Sequence, residues 1–220
     1  MNVIEALAAR RSIRVFKSDP VAPELIKSIV EAANRSPSWA NTQPWEVYVA
    51  GGTPLENLRE RYLENYRKGI EPSPDIPVPP SWPAAHQERI FQLGAGRFAF
   101  LGIERHDKEA RKKTREMNFN LFGAPHVVFI CMEQGLSPWS LYDLGSFSMS
   151  LMLAAQHYGL STIPAVLLVA YPDIIREELG IPQNLSVVIG IALGYGDMGS
   201  IHNQYIASRR NVEEFLKIKS

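Results

Sequence analysis

The chain has 220 residues, of which 45% are hydrophobic and 21% charged, and its 23 Lys and Arg residues balance 23 Asp and Glu residues. A disordered chain would contain fewer apolar residues, and a general nucleic-acid-binding protein would carry excess positive charge, so both classes are excluded. The length suffices for one domain with a substantial hydrophobic core, and we predict a single domain over residues 1–220.

The first third of the chain predicts three helices and one strand. The helices cover Asn2–Arg10, Pro23–Asn34, which has one apolar stripe, and Thr53–Lys68. The segment Arg35–Pro44 is rich in Ser, Asn and Pro and predicts a loop, and the alternating segment Trp45–Ala50 predicts a strand.

The segment Ile70–Pro83 contains six prolines in fourteen residues, so it cannot form regular secondary structure. It is interpreted either as a surface connector or as a flap over a site, because long loops in compact domains are often functional.

The remainder of the chain alternates helices with strands. Helices are predicted over Ala84–Phe91, Lys108–Leu121, Trp139–Tyr158 and Pro172–Leu179, and strands over Val127–Met132, Thr162–Val169 and Ser186–Leu193. The helix Trp139–Tyr158 is apolar nearly all round and rich in small residues, which predicts a buried helix that another helix approaches closely. Few strands and many helices indicate a small sheet wrapped by helices.

Several features carry no chemistry of their own. Cys131 lies in the apolar run His126–Met132 and is interpreted as a buried thiol, and the five histidines lack metal-ligand spacing, so no metal site is predicted. Gly194–Gly199 fits G-x-G-x-x-G, but no convincing helix follows it, so a dinucleotide fold is rejected. Without a secretory signal or an apolar run of membrane length, we expect a cytoplasmic protein with no membrane or nucleic-acid partner.

Two short segments contain residue types suited to binding a ligand. The segment Arg10–Phe16 offers three arginines and Ser12, a donor set that suits a phosphate dianion, although cations also stabilise the end of a helix. The segment Ser36–Trp45 places hydroxyls and amides in a tight loop, where they can bond the edge of a planar heterocycle or form an ordinary turn.

Together and in this order, the two segments resemble the FMN-dependent nitroreductase family, whose chains begin R-R-S-x-R-x-F and continue with P-S-x-x-N-x-Q-P-W. Further similar segments are Leu121–Pro125, Leu151–Leu160, Ile191–Tyr195 and Ser208–Arg210, so the resemblance spans the chain. The F-G-A-P motif, the W-S-x-x-D-x-G helix start and the proline-rich insert are most similar to the 4-nitrobenzoate reductase group.

The resemblance implies an α+β fold: a three-layer sandwich in which helices wrap a small mixed or antiparallel sheet. It also implies an obligate, domain-swapped homodimer with two FMN sites at its interface. The tail, residues 200–220, would then wrap around the partner subunit.

The resemblance also implies roles for individual residues. Arg10, Ser12 and Arg209 would hold the FMN phosphate, with Arg210 as a substitute for Arg209, and Arg11 would act through its backbone or toward the ribityl chain. Arg14 would lie near N1 and C2=O of the flavin, where a positive charge favours the reduced form.

The remaining implied contacts are with the ring. From the opposite subunit would come Pro37, Ser38, Trp39 and Asn41, with Gln43 contacting the ring edge or bracing the loop. Ile163, Pro164, Ala165 and Val166 would lie behind the ring and act through the backbone, because many relatives have a Glu–Gly pair where this chain has Ala165-Val166. Asn118 and Asn120 are candidates for the pocket or simply polar helix residues.

The implied activity is ping-pong hydride transfer through flavin N5 from NADH or NADPH to a small-molecule acceptor, a nitroaromatic compound or a quinone, with no catalytic side chain. One alternative is a reductive dehalogenase or ene reductase on the same fold. Glu60–Lys68 contains the Glu, Tyr and Lys of a deiodinase lid, but this composition is also typical of a charged surface helix. A second alternative is a flavin-storage or flavin-sensing protein.

Overall fold

The computed structural model describes residues 2–219, which contain seven α-helices and four β-strands. The helices are α1 (Val3–Ala9), α2 (Pro23–Ala33), α3 (Gly52–Lys68), α4 (Ala84–Phe100), α5 (Lys108–Phe119), α6 (Pro138–His157) and α7 (Pro172–Leu179). The strands are β1 (Glu46–Gly51), β2 (His126–Glu133), β3 (Ser161–Ala165) and β4 (Leu185–Gly194).

The four strands form one antiparallel sheet in the order β1-β2-β4-β3. The N-terminal segment that follows α1 extends this sheet beyond β3 through two isolated bridges, a parallel one from Ser12 to Thr162 and an antiparallel one from Phe16 to Gly196. The predicted small sheet is therefore confirmed, and the segment containing Ser12 lies at its edge.

The two faces of the sheet carry separate hydrophobic cores. Because side chains alternate along a strand, Val127, Phe129 and Cys131 of β2 face one core, and Val128, Ile130 and Met132 face the other. Helices α3, α5 and α7 contribute to the first core, and α2 and α6 contribute to the second. This arrangement is the three-layer α+β sandwich that the resemblance implied.

Two predicted boundaries were wrong. Helix α4 continues nine residues past Phe91 to Phe100, although Gly94 and Gly96 lower its intrinsic helix propensity. Strand β3 ends at Ala165, and Val166–Val169 forms a 3₁₀ turn instead of more strand. The turn buries the consecutive residues Leu168 and Val169 in one core, which a continuous strand would place on opposite faces.

The prediction that α6 is a buried helix holds for one of its faces in the single chain. Its inner face, which includes Leu144, Phe147 and Leu151, packs in the second core. On its outer face, Trp139 is 63% and Tyr142 is 70% exposed. The outer face therefore has room for a further partner.

The proline-rich segment 70–83 is irregular, as predicted, but its first half is fixed to the core. The Asp75 carboxylate accepts hydrogen bonds from the buried Arg176 guanidinium at 2.6 Å and from the Val187 N–H at 2.7 Å. The Tyr171 hydroxyl also donates to the Ile70 carbonyl at 2.8 Å. These bonds hold residues 70–75 in place, so any flap would have to be confined to the second half.

Candidate functional site

A groove of about 750 Å³ lies where the two ends of the chain meet. Its walls come from residues 7–14, from Ser161 at the start of β3, from Leu93 of α4, from Gln156 of α6, and from Met198, residues 205–207 and Arg209. Five of the predicted ligand-binding residues line it, and these are Arg10, Arg11, Ser12, Arg14 and Arg209. We call it the arginine groove.

The buried residue Asn203, which is 1% exposed, joins the two ends of the chain at this groove. Its Oδ1 accepts hydrogen bonds from the backbone N–H groups of Arg14 at 2.6 Å and Val15 at 3.2 Å. Its Nδ2 donates to the carbonyls of Val15 at 2.7 Å and Asp197 at 2.8 Å. All four bonds go to backbone groups, so Asn203 fixes the main chain on which Arg14 is carried.

Arg10 and Arg209 both line the groove and lie near enough to interact electrostatically, and we call the part that they line the outer end. Arg10 follows the last residue of α1 and has an extended backbone. Burial, and secondly the charge of Arg209, lower its pKa. Two guanidinium groups that repel each other, in a groove that Ser12 also lines, form a site in which an anion is favoured.

Arg210 occupies a different position from its neighbour in sequence. It does not line the arginine groove, and its guanidinium lies 4.9 Å from the centre of the Phe215 ring, a cation–π contact. Of the two arginines offered for one role, Arg209 is the one that faces the groove.

Arg14 also lines the groove, and we call the part that it lines the inner end. Its Nη1 donates to the Ser12 carbonyl at 3.2 Å. Burial lowers the Arg14 pKa, and the Tyr205 hydroxyl opposes this effect. Two further basic groups, Arg97 of α4 and His202, lie near enough to interact electrostatically with Arg14.

The sequence analysis missed Arg97, His202, Asn203 and Tyr205. Arg97 was outside the predicted extent of α4, and no local pattern marks an asparagine whose partners lie up to 189 residues away. Only the paired basic motifs at the two chain ends signalled that the ends meet.

The second predicted ligand segment, Ser36–Gln43, forms a strained loop. Ala40, Asn41 and Gln43 have positive φ angles of 49°, 58° and 47°, which non-glycine residues rarely adopt. The buried Asp143 carboxylate accepts the Trp39 N–H at 3.1 Å, and the Ser38 hydroxyl accepts the Gln43 N–H at 2.9 Å. Backbone strain of about 1–3 kcal/mol per residue is typical of functional loops.

This loop does not reach the arginine groove of its own chain. Trp39 and Gln43 line another cavity of about 700 Å³, together with Glu46 and Glu133, and the two cavities share no lining residue. Pro37, Ser38 and Asn41 line neither cavity. Within one chain, the two groups of predicted ligand residues are therefore separate.

The other predicted residues also lie outside the groove. Pro164, Ala165 and Val166 are at the opposite end of β3 from Ser161, and half of the Val166 surface is exposed. Asn118 donates to the Arg115 carbonyl at 3.0 Å within α5, and Asn120 ends that helix. Neither asparagine lines the groove.

The remaining features add no second reactive centre. Burial raises the pKa of the Cys131 thiol to about 12, so the group is an inert core residue. The glycines of Gly194–Gly199 precede the 3₁₀ turn Ile201–Asn203 instead of an α-helix. In residues 2–219, no cluster of His, Cys, Asp and Glu could hold a metal ion. Over the same residues, every helix is too short or too polar to cross a membrane.

Comparison with known proteins gives consistent matches over the chain. The model of the nitroreductase family matches residues 7–195. Nitrobenzene nitroreductase of Ectopseudomonas oleovorans is 36% identical over 212 residues, which cover 94% of this chain and 92% of that protein. A 4-nitrobenzoate reductase of Pseudomonas putida is 30% identical, with 95% and 92% covered. The crystal structure of the FMN- and NADPH-dependent nitroreductase NfnB from Sphigopyxis sp. strain HMH superposes with a TM-score of 0.95 at 30% identity, and each chain is covered completely.

Proposed function

Because this chain belongs to the nitroreductase family, we propose that it is an NAD(P)H-dependent FMN oxidoreductase that reduces nitroaromatic compounds, with quinones as further acceptors. The observation that carries the proposal is the convergence of Arg10, Ser12 and Arg209 on one groove. This donor set, from both ends of the chain, is what a phosphate monoester requires.

The groove has the features that FMN demands. Its volume of about 750 Å³ lies in the usual range for cofactor sites. Arg10, Ser12 and Arg209 would hold the phosphate at the outer end, and Arg11 would lie along the ribityl chain. When bound, FMN supplies the redox chemistry by accepting two electrons from a reduced nicotinamide and passing them to the acceptor.

The chain's own residues would bind, orient and tune this group. Arg14 would hold a positive charge at the inner end of the groove, where it favours a negative charge on the bound ring. The backbone of Pro164, Ala165 and Val166 would lie behind the ring. The apolar side chains of Leu93 and Ile206 in the groove wall would contact the bound group.

A second copy of the chain would complete each site by adding Pro37, Ser38, Trp39 and Asn41, with Gln43 bracing the loop. Three observations support a homodimer: Trp39 is 64% exposed, the outer face of α6 is open, and the tail exposes large apolar side chains. Those side chains are Val212, Phe215, Leu216 and Ile218. We therefore propose that the tail wraps around the partner subunit, and that the protein acts in the cytoplasm as a single domain over residues 1–220.

The proposal is tested on the purified full chain. We expect a yellow protein whose visible spectrum is that of FMN, which bleaches rapidly when NADH or NADPH is added without oxygen. Its colour should return with nitrobenzene, 4-nitrobenzoate or a quinone. A protein that stays colourless with added FMN would refute the proposal, and slow bleaching with both nicotinamides would favour flavin storage.

The geometry of the described residues gives the dehalogenase alternative no support. In the charged segment of α3, Lys68 donates to the Glu64 carboxylate, and Arg61 bonds Glu177 and Glu178 of α7. These surface pairs account for the charged residues that a zwitterionic substrate would need. Turnover of iodotyrosine as fast as that of 4-nitrobenzoate would reverse this assignment.

A further inference from the structure

A second group of basic side chains lies behind Arg14, and the proposed function does not yet account for it. Arg97 Nε, in α4, and His202 Nδ1 are both buried, and neither atom has a hydrogen-bond partner in residues 2–219. Burial, and secondly the charge of Arg14, lower the pKa of Arg97 to about 10. The pKa of His202 is lowered by burial and then by Arg97 and Arg14.

Packing, and not ion pairing, brings these groups together. Helix α4 approaches the segment after β4 so closely that a Cβ atom at Gly96 would lie 2.8 Å from the Tyr205 hydroxyl. The rings of Phe100 and Tyr205 lie 5.6 Å apart. From the other side, Asn203 fixes the backbone of Arg14. Arg97 and Arg14 are therefore held near each other by two independent sets of contacts.

No acidic group in the described part of the chain neutralises this cluster. The basic residues that form ion pairs there are Lys27, Arg59, Arg61, Arg67, Lys68, His106 and Arg176, and neither Arg14 nor Arg97 is among them. Charges that are partly buried without partners lose part of their hydration, and an unpaired buried polar atom in a native protein requires an explanation. A ligand that brings the missing negative charge supplies one.

The arginine groove thus demands an anion at each of two places. Arg10 and Arg209 lie at its outer end, and Arg14 lies at its inner end with Arg97 behind it. FMN matches this pattern only when it is reduced, because the phosphate is always negative, whereas the ring gains negative charge on reduction. Arg97 does not line the groove, so it would act through Arg14 and not by touching the ligand.

We propose that Arg97 is a positioning residue that keeps the inner end of the arginine groove positive from behind Arg14, so that the site binds reduced FMN more tightly than oxidised FMN. This inference rests on the proposed function, since it requires FMN in the groove. It predicts that the charge of Arg97, and not its volume, sets the ratio of the two affinities.

The test measures the two-electron midpoint potential of the FMN-loaded full chain by equilibration with a reference dye. Arg97→Gln and Arg97→Met remove the charge, Arg97→Lys keeps it, and Arg105→Gln removes an exposed arginine just beyond α4 as the control. We expect both neutral variants to weaken binding of reduced relative to oxidised FMN at least tenfold, which lowers the potential by about 30 mV. In Arg97→Lys and Arg105→Gln, the ratio of reduced to oxidised FMN affinity should remain within threefold of that of the unmodified chain.

A second measurement covers the fold. Because the charge of Arg97 has no partner in the described chain, we expect FMN-free Arg97→Met to unfold at the same or a higher temperature than the unmodified chain. A lower unfolding temperature would assign Arg97 a structural role and overturn the inference.

Three further outcomes would overturn it. The first is a ratio of reduced to oxidised FMN affinity that stays within threefold of the unmodified chain in both neutral variants. The second is a shift of the potential in Arg97→Lys as large as that in Arg97→Met. The third is an unchanged potential together with a KM that rises for 4-nitrobenzoate but not for nitrobenzene. The last result would assign the cluster to a carboxylate on the acceptor. In all three cases the proposed function stands, whereas an unmodified chain that fails to bind FMN refutes both proposals.

Discussion

The arginine groove and the loop Ser36–Gln43 are the two regions that the sequence marked for one ligand, and the structure builds them in opposite ways. The lining of the groove comes from both ends of one chain, which the four hydrogen bonds of Asn203 join. The loop is strained and exposed, and it lines a different cavity. The positive charges come together within one chain, whereas the loop that would cover the ring is exposed.

The groove and the loop are expected to depend differently on the association of two copies of the chain. If the groove holds the FMN phosphate as proposed, its lining within one chain would let it bind before a second copy arrives. The loop is bonded to Asp143 of α6, and the outer face of the same helix is exposed. We therefore expect damage to the groove to act on FMN affinity within each chain, and damage to the loop to act on the site of the other chain.

The largest expected effect comes from variants that damage either the groove or the loop alone. A chain with Arg10→Ala and Arg209→Ala should bind FMN about two to four orders of magnitude more weakly, because two charge-assisted hydrogen bonds of about 1.5–3 kcal/mol each are lost. A chain with Trp39→Ala and Asn41→Ala should lose nitroaromatic reduction while keeping its groove.

Refolding the two defective chains together provides the decisive measurement. If each site combines a groove from one copy with a loop from the other, equal mixing makes half of the dimers mixed, each with one intact site, so about a quarter of all sites recover. Activity no greater than the sum of the separate chains would show that both halves serve the same chain.

The next effect concerns the stability of the groove itself. Asn203→Ala removes all four hydrogen bonds that join the chain ends and leaves buried backbone groups unpaired, so the free energy of unfolding should fall by about 2–4 kcal/mol. Urea denaturation measures this, with the exposed neighbour Gln204→Ala as the control. A loss below about 1 kcal/mol would contradict the role of Asn203 as the clamp.

A smaller effect distinguishes the two adjacent arginines of the tail. Arg209→Ala should weaken FMN binding about 10- to 100-fold, because Arg209 faces the groove. Arg210→Ala should change it less than about threefold, since Arg210 stacks on Phe215 at the surface. Titration of FMN fluorescence at constant salt gives both constants, and the reverse order would make Arg210 the phosphate ligand.

The smallest expected effect is a dependence of stability on pH, to which two histidines contribute. His126 Nε2 accepts a hydrogen bond from the Val21 N–H at 3.1 Å, just before α2 begins. His202 lies near Arg97 and Arg14. Burial lowers the pKa of both below the ordinary 6.5. As pH falls below that value the unfolded chain binds protons first, so the free energy of unfolding should decrease from about pH 7 to about pH 5.

Variants separate the two contributions. His126→Gln should flatten the decrease more than His202→Gln, because protonation of His126 also breaks its bond to Val21. Urea midpoints at several pH values provide the comparison. Equal flattening by both variants would show that burial alone controls the two histidines.

Much of the fold follows from patterns that neighbouring residues create. The single apolar stripe of Pro23–Ala33 predicted α2, and six prolines predicted the irregular segment 70–83. Three arginines and a serine within residues 10–14 indicated a phosphate site by their residue types. Periodicity, backbone restriction and charge type are local properties, so the sequence alone determined them.

Contacts between distant segments decided the rest. Burial of Leu168 and Val169 turned the predicted end of β3 into a 3₁₀ turn, and packing against Tyr205 accompanies the extension of α4 through Gly96 to Arg97. The four hydrogen bonds of Asn203 exist only once both chain ends meet, and the cluster of Arg14, Arg97 and His202 also requires α4 to pack against them. Whether a polar group is satisfied, and whether a charge is neutralised, depends on what packs against it, and residues far apart along the chain do not encode that locally.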